Sequence, residues 1–294
     1  MTKRLFSAVA ITLLITACVT KQEPQSKETT SAIDSTISTE IDIRDLFYAI
    51  PSPLELSVLF KNAGISYDKN QLLNTEEAYK YDNSSKMALL LGVYGADLSY
   101  AGIFKRPQES IRYMAVCKEL AEKLSIGEGF DEEMILRIES NIENRDSVIL
   151  IIASNFLDVD TYFKENKQSE NSTLVLIGGW IEGLHLGTTM IRSSESDDKL
   201  KEIIKDQYVS LENLILLAEA SELKSYSWIV DELKLLLPSF ESIQQKEQNE
   251  AKISASDEGV LTLSSNNEIN YISDEDFNDI STRVSTLRSK LIQL

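Results

Sequence analysis

The sequence predicts an all-α protein, a multi-helix bundle of long helices with two glycine-rich helices at its centre. Three observations predict it. Helix breakers are scarce, with 5 Pro and 11 Gly in 294 residues. A content of 43% hydrophobic and 26% charged residues suits a helical globular body with a sizeable core. Apolar residues recur at helical spacing, and no segment sustains the alternation of a half-buried strand.

Each element follows from local signals. Ser52-Pro53-Leu54-Glu55 is a capping box with Pro at the first helical position, and Gly64 is a stop, so a helix is expected over 53–63. A loop with one short turn carries the chain from Tyr67 to Asn83. Ser84 then caps an apolar helix over 84–104, and Pro107 opens another that ends near Leu124. The latter buries Tyr113, Cys117, Leu120 and Leu124 on one face. Asp131 caps a helix to about 142, and 145–166 carries an Ile149, Ile152, Phe156, Val159, Phe163 stripe. The second strongly apolar helix spans 172–191. Ser196 begins one long amphipathic helix through Ala220, and 224–246 forms its successor, with a kink or break at Pro238. Residues 248–272 are polar and irregular, and Val260-Leu261-Thr262-Leu263 is too isolated for a sheet. Ser273 caps a final helix to about 292.

The two apolar helices break a local rule. Glycine costs about 1 kcal/mol relative to alanine inside a helix. Yet Gly92, Gly95 and Gly102 lie in the first, and Gly178, Gly179, Gly183 and Gly187 in the second. Small residues at such spacing let backbones approach closely, so these are read as central helices pressed against each other or against large neighbours. Neither reaches the roughly 20 apolar residues of a membrane span. Leu91–Leu98 also lines up with Ile177–Leu184, which is either a duplicated half or the chance likeness of apolar helices.

Polar residues interrupt the same helices. Asp97 shares a face with Tyr94 and Tyr100, and Glu182 with His185. A buried carboxylate needs a partner or a proton. These five residues are the candidate ligand-binding set, with a structural hydrogen bond to tyrosine or tryptophan as the plainer reading. Glu182-Gly183-Leu184-His185 has the Glu-x-x-His spacing of di-iron bundles, but those need two such motifs and His185 is the single histidine. Cys117 reads as an inert core thiol. No nucleophile elbow, phosphate loop, zinc spacing or dinucleotide fingerprint occurs, so neither a catalytic residue, a metal nor a cofactor is implied.

With 47 acidic against 29 basic residues, the net charge is −18, which argues against nucleic-acid partners. The N-terminus sets the expected location. Lys3 and Arg4 precede an apolar run too short to span a bilayer, and Ile15-Thr16-Ala17-Cys18 closes it. This resembles the lipobox of bacterial lipoproteins. The resemblance implies removal of residues 1–17 and lipidation of Cys18, with the membrane as partner through the lipid. Several acyl chains, at about 0.8 kcal/mol per buried methylene, make such anchoring durable. Residues 18–41 are then a polar, disordered tether, and 42–294 the helical domain. Val19 stands where the sorting rule of enteric bacteria places Asp for the inner membrane, so the outer membrane is expected.

The pattern Gly92-Val93-Tyr94-x-Ala96-Asp97-Leu98-x-Tyr100, with Gly178-Gly179-Trp180-Ile181-Glu182, is similar to a group of all-helical envelope lipoproteins without an assigned activity. That likeness covers roughly residues 45–240 and implies a helical body on a lipid tether, with no catalytic residues carried over. The leading expectation is a non-enzymatic binding or scaffold lipoprotein of the cell envelope. The alternative is a small-ligand or metal-binding protein, or an enzyme, with a polar site between helices 84–104 and 172–191.

Overall fold

The computed structural model describes Leu46, residues 49–126, 169–189, 196–223, 226–241, 243, 252–255, 261–264 and 272–293, and isolated positions between 136 and 161. The chain divides between Glu40 and Ile41, and every described residue belongs to the unit Ile41–Leu294. The expected signal, Cys18 and the tether therefore lie outside the described residues. So do the expected cap at Asp131 and the stripe from Ile149 to Phe163.

The described part is all-α. Helix α1 (Pro53–Asn62) starts at the expected capping box: the Glu55 amide donates to Ser52 Oγ at 3.2 Å, and the Ser52 amide donates to the Glu55 carboxylate at 2.7 Å. Gly64 follows it at φ 98°, a left-handed conformation that costs a residue without a side chain nothing. The stretch expected as a loop holds two 3-10 helices, Lys69–Gln71 and Thr75–Lys80. Asp68 and Asn74 cap them, each side chain accepting from the amide two residues on.

Helix α2 (Ser84–Ile103) is buried along nearly its whole length, as its apolar sequence requires. Its cap is Asn83 rather than Ser84: the Lys86 amide donates to Asn83 Oδ1 at 3.1 Å. Asn83 is extended and precedes the first helical residue, so its side chain reaches the free amides. Helix α3 (Pro107–Lys123) buries Tyr113, Cys117 and Leu120 as expected, and Leu124 just beyond it. Helix α4 (Ser169–Thr189) is the second buried rod.

The expected single helix from Ser196 to Ala220 is two, α5 (Ser196–Lys205) and α6 (Gln207–Ala220), broken at Asp206. Its successor α7 (Ser227–Lys234) ends before Leu235 and Leu236, and helix resumes at 237. The break beside Pro238 is the one its missing amide demands. The last helix, α8 (Asp274–Gln293), is capped by Ser273 Oγ, which accepts from the Asp276 amide at 3.1 Å.

A further local expectation fails. Strands β1 (Lys252–Ala255) and β2 (Leu261–Ser264) pair antiparallel, with Ile253 opposite Leu263 and Ser254 opposite Thr262. The segment Leu261–Leu263 is not isolated, because a hairpin needs only a neighbouring stretch to share its backbone bonds. Both strands are four residues long, and the body remains a helical bundle.

Helices α2 and α4 pack on each other more extensively than any other pair, and α1, α3 and α8 pack around them. Among the described residues no helix is long and apolar enough to cross a membrane.

Candidate functional site

The site is built where α2 and α4 cross. A methyl group on Gly92 would lie 1.9 Å from the Val175 carbonyl oxygen, and one on Gly178 would lie 2.1 Å from that of Leu89. These glycines let the two backbones touch. The other three glycines of α4 do something different. Methyl groups on Gly179, Gly183 and Gly187 would strike Pro53, Leu56 and Phe60 at 2.6, 2.7 and 2.4 Å. The four-residue repeat of α4 is thus a trough for the large side chains of α1, while the contact with α2 uses Gly92 and Gly178. Both expected uses of the small residues occur, on different faces.

Close approach brings Asp97 of α2 and Glu182 of α4 together, and both are fully buried. The two carboxyl groups lie near enough that the Glu182 charge acts directly on Asp97. Arg288 of α8 completes the cluster: its Nε and Nη2 donate to the two Glu182 oxygens at 2.6 and 2.7 Å. This forked geometry is the strongest arrangement for a guanidinium and a carboxylate. The Asp97 Oδ2 atom accepts from the Leu73 amide at 3.1 Å, while Oδ1 is buried and has no donor.

The surrounding polar groups hold the loop between α1 and α2. Tyr100 Oη donates to the Ser66 carbonyl at 3.0 Å and accepts from the Asp68 amide at 2.9 Å. Arg288 Nη2 also donates to the Gln71 carbonyl at 3.2 Å. Tyr113 Oη donates to the Leu73 carbonyl at 3.0 Å, and Tyr94 Oη to that of Asn74 at 2.8 Å. Residues 66–74 are bound through their backbone, polar group by polar group, by side chains of α2, α3 and α8.

Burial sets the protonation states. It lifts the Asp97 carboxyl far above the ordinary carboxylate range; the Glu182 charge adds to this, and Arg288 and the Leu73 amide oppose it. Burial also lifts Glu182, which stays above its ordinary value although the Arg288 bonds and charge oppose the rise. For Arg288, burial works against the charge, and Glu182 outweighs it and holds the guanidinium protonated. His185 is buried and pushed down to about 3, by burial first and Arg288 second, so its ring is neutral. Its Nδ1 faces Ser285 Oγ of α8 at 3.4 Å.

Of the five sequence candidates, Asp97 and Glu182 meet directly. His185 lies one turn along α4 and is turned to Ser285, and the Tyr94 and Tyr100 hydroxyls are occupied by the loop. Among the described residues no group of three or more His, Cys, Asp or Glu side chains is placed to hold a metal ion. Burial raises the pKa of Cys117, and a neutral core thiol results. Sequence reasoning missed Arg288 and Tyr113. Arg288 lies 106 residues from Glu182, and nothing local distinguishes it from a solvated arginine.

A second buried cation lies one turn further along α8. Lys86 Nζ donates to the carbonyls of Leu291 and Ile292, the latter at 3.1 Å, and sits 4.5 Å from the centre of the Tyr81 ring. Tyr81 Oη donates to the Ile292 carbonyl at 2.7 Å. These groups satisfy carbonyls that the end of a helix leaves open.

Fold and site together define an all-helical bundle whose central charges are closed on one another and on the chain's own loop. No family model, no curated protein and no solved structure matches this chain.

Proposed function

We propose that the protein is a membrane-tethered, all-helical binding or scaffold lipoprotein of the cell envelope, with no catalytic step of its own. The observation that carries the reading is the use made of the buried polar groups. Tyr94, Asp97, Tyr100, Tyr113, Glu182 and Arg288 bond to one another or to the backbone of residues 66–74. Chemistry on a substrate needs such groups unspent and facing a space. Recognition of an envelope partner then falls to the surface. The tether rests on the sequence: the basic, apolar and small-residue succession that ends at Cys18, and the polar stretch that follows. The outer membrane is the expected site, from Val19 after the cysteine.

The test is intact-mass measurement of the protein extracted with detergent from envelopes. A mature chain beginning at Cys18 and carrying acyl groups is expected, and Cys18→Ser should leave the protein unprocessed and unacylated. An unmodified Cys18 thiol contradicts the proposal.

The convergence of Asp97 and Glu182 is the observation that favours the second reading, a polar-ligand or metal site between α2 and α4. Thermal unfolding with added divalent cations separates the two. A Tm that rises with cation concentration, and does not in Asp97→Asn, would support the second.

A further inference from the structure

The carboxyl pair at the centre of the bundle has one donor too few. Glu182 has both oxygens engaged by Arg288, and Asp97 Oδ2 is engaged by Leu73. Asp97 Oδ1 is fully buried with no donor, beside a second carboxyl group. Two neighbouring ionised carboxylates with one guanidinium, which engages Glu182, leave a net negative charge in a fully buried site. A proton on Asp97 Oδ1, donated to Glu182, supplies the missing donor and makes the cluster neutral.

We propose that Asp97 and Glu182 form a proton-binding site that holds one shared proton at neutral pH, and that this proton helps fasten α8 to the bundle through Glu182 and Arg288. The proposal is independent of how the protein is anchored. Asp97 is the holder because the guanidinium fork acts on Glu182 and opposes its protonation.

The groups facing the pair leave its titration isolated. From α4 there is His185, neutral down to about 3. From α2 and α3 there are Tyr94, Tyr113 and Cys117, all raised by burial above their ordinary alkaline values. From the loop comes Tyr67, raised to about 12 by burial and the Glu109 charge. From α8 there is Arg288, permanently charged. None of these changes charge between about pH 4 and about pH 7; Lys86 at the end of α8, lowered by burial to about 8, acts above that range, and the difference between variant and wild type isolates the pair.

The sign of the linkage follows. The folded-state value of Asp97 lies above that of the unfolded chain, about 3.9. Between those two values the folded protein keeps a proton that the unfolded chain has released. The contribution to stability is therefore complete below the unfolded value and is lost as pH rises towards the folded one.

Asp97→Asn is the isostere of the protonated form: its Oδ1 accepts from Leu73 and its amide donates to Glu182 at every pH. Three measurements test the proposal. Infrared spectra of the wild-type protein at neutral pH should contain the C=O stretch of a protonated carboxyl, absent from Asp97→Asn. The Tm of Asp97→Asn minus that of wild type should climb from about pH 4 to about pH 8. Amide exchange of residues 274–293 should become relatively slower in the variant over the same range. A wild-type spectrum with no protonated carboxyl at neutral pH overturns the proposal, as does a variant Tm offset constant across pH. Should Asp97→Asn not fold, the wild-type spectrum decides alone.

Discussion

Gly92 and Gly178 are the residues on which the rest of the molecule is hung. Each faces the backbone of the other helix at a distance no side-chain carbon tolerates. Gly92→Ala and Gly178→Ala each require α2 and α4 to separate. We expect a loss of about 3 kcal/mol or more for either, at or beyond the upper end for overpacking. Gly183→Ala meets the tip of Leu56 instead, which can turn aside, and should cost about 1–2 kcal/mol. Urea denaturation of the three variants checks the order; equal losses would show that the backbone contact is not what matters. Tyr113→Phe removes the donor to the Leu73 carbonyl and should cost about 1–3 kcal/mol by the same measurement. The glycines were legible in the sequence because a run of poor helix formers in an apolar helix demands a packing reason. Tyr113 was legible only as an apolar face residue. Its hydroxyl partner is a loop carbonyl forty residues away, which no spacing rule points to.

At the scale of elements, the last helix shows which signals are local and which are not. Its start was legible in full: Ser273 followed by three acids is a cap and a complement to the helix dipole. Its buried stripe, Phe277, Ile280, Val284, Leu287 and Leu291, follows helical periodicity. Its destination was not legible. Lys86 and Tyr81 at its C-terminal end and Glu182 one turn before come from segments some two hundred and one hundred residues away. The expected long helix from Ser196 failed for a related reason. Amphipathic pattern continues through Asp206, and neither Gly nor Pro marks the break there. Arg288→Met measures what the docking contact is worth. It leaves Glu182 charged and buried without its partner, and the expected loss is about 3–5 kcal/mol by urea denaturation, with α8 amides exchanging faster. An unchanged midpoint would mean that the apolar stripe alone holds the helix.

For the whole molecule, charge and core act in opposite senses. A net charge of −18 spread over 294 residues favours solubility and strains the compact state by self-repulsion. Raising ionic strength from low to physiological should therefore raise Tm, and a fall would show that attractive surface pairs dominate. Against that repulsion stand the crossing of α2 and α4 and the cluster at its centre. The sequence marked Asp97 and Glu182 as buried acids in want of partners, and it offered a ligand and an internal hydrogen bond as answers. The internal bond was expected from tyrosine or tryptophan; Glu182 instead pairs with Arg288 and Asp97 with the Leu73 amide, and a cation on the solvent-like pattern of a distant helix cannot be assigned before the fold is known. The account centres on these buried polar groups working for the fold. A double-mutant cycle of Glu182→Gln and Arg288→Met, read by equilibrium urea denaturation, tests this most directly. Each single change should destabilise strongly, and the double variant should lose much less than the sum, a coupling of about 1.5–3 kcal/mol. Small, additive losses from the two changes would contradict the account.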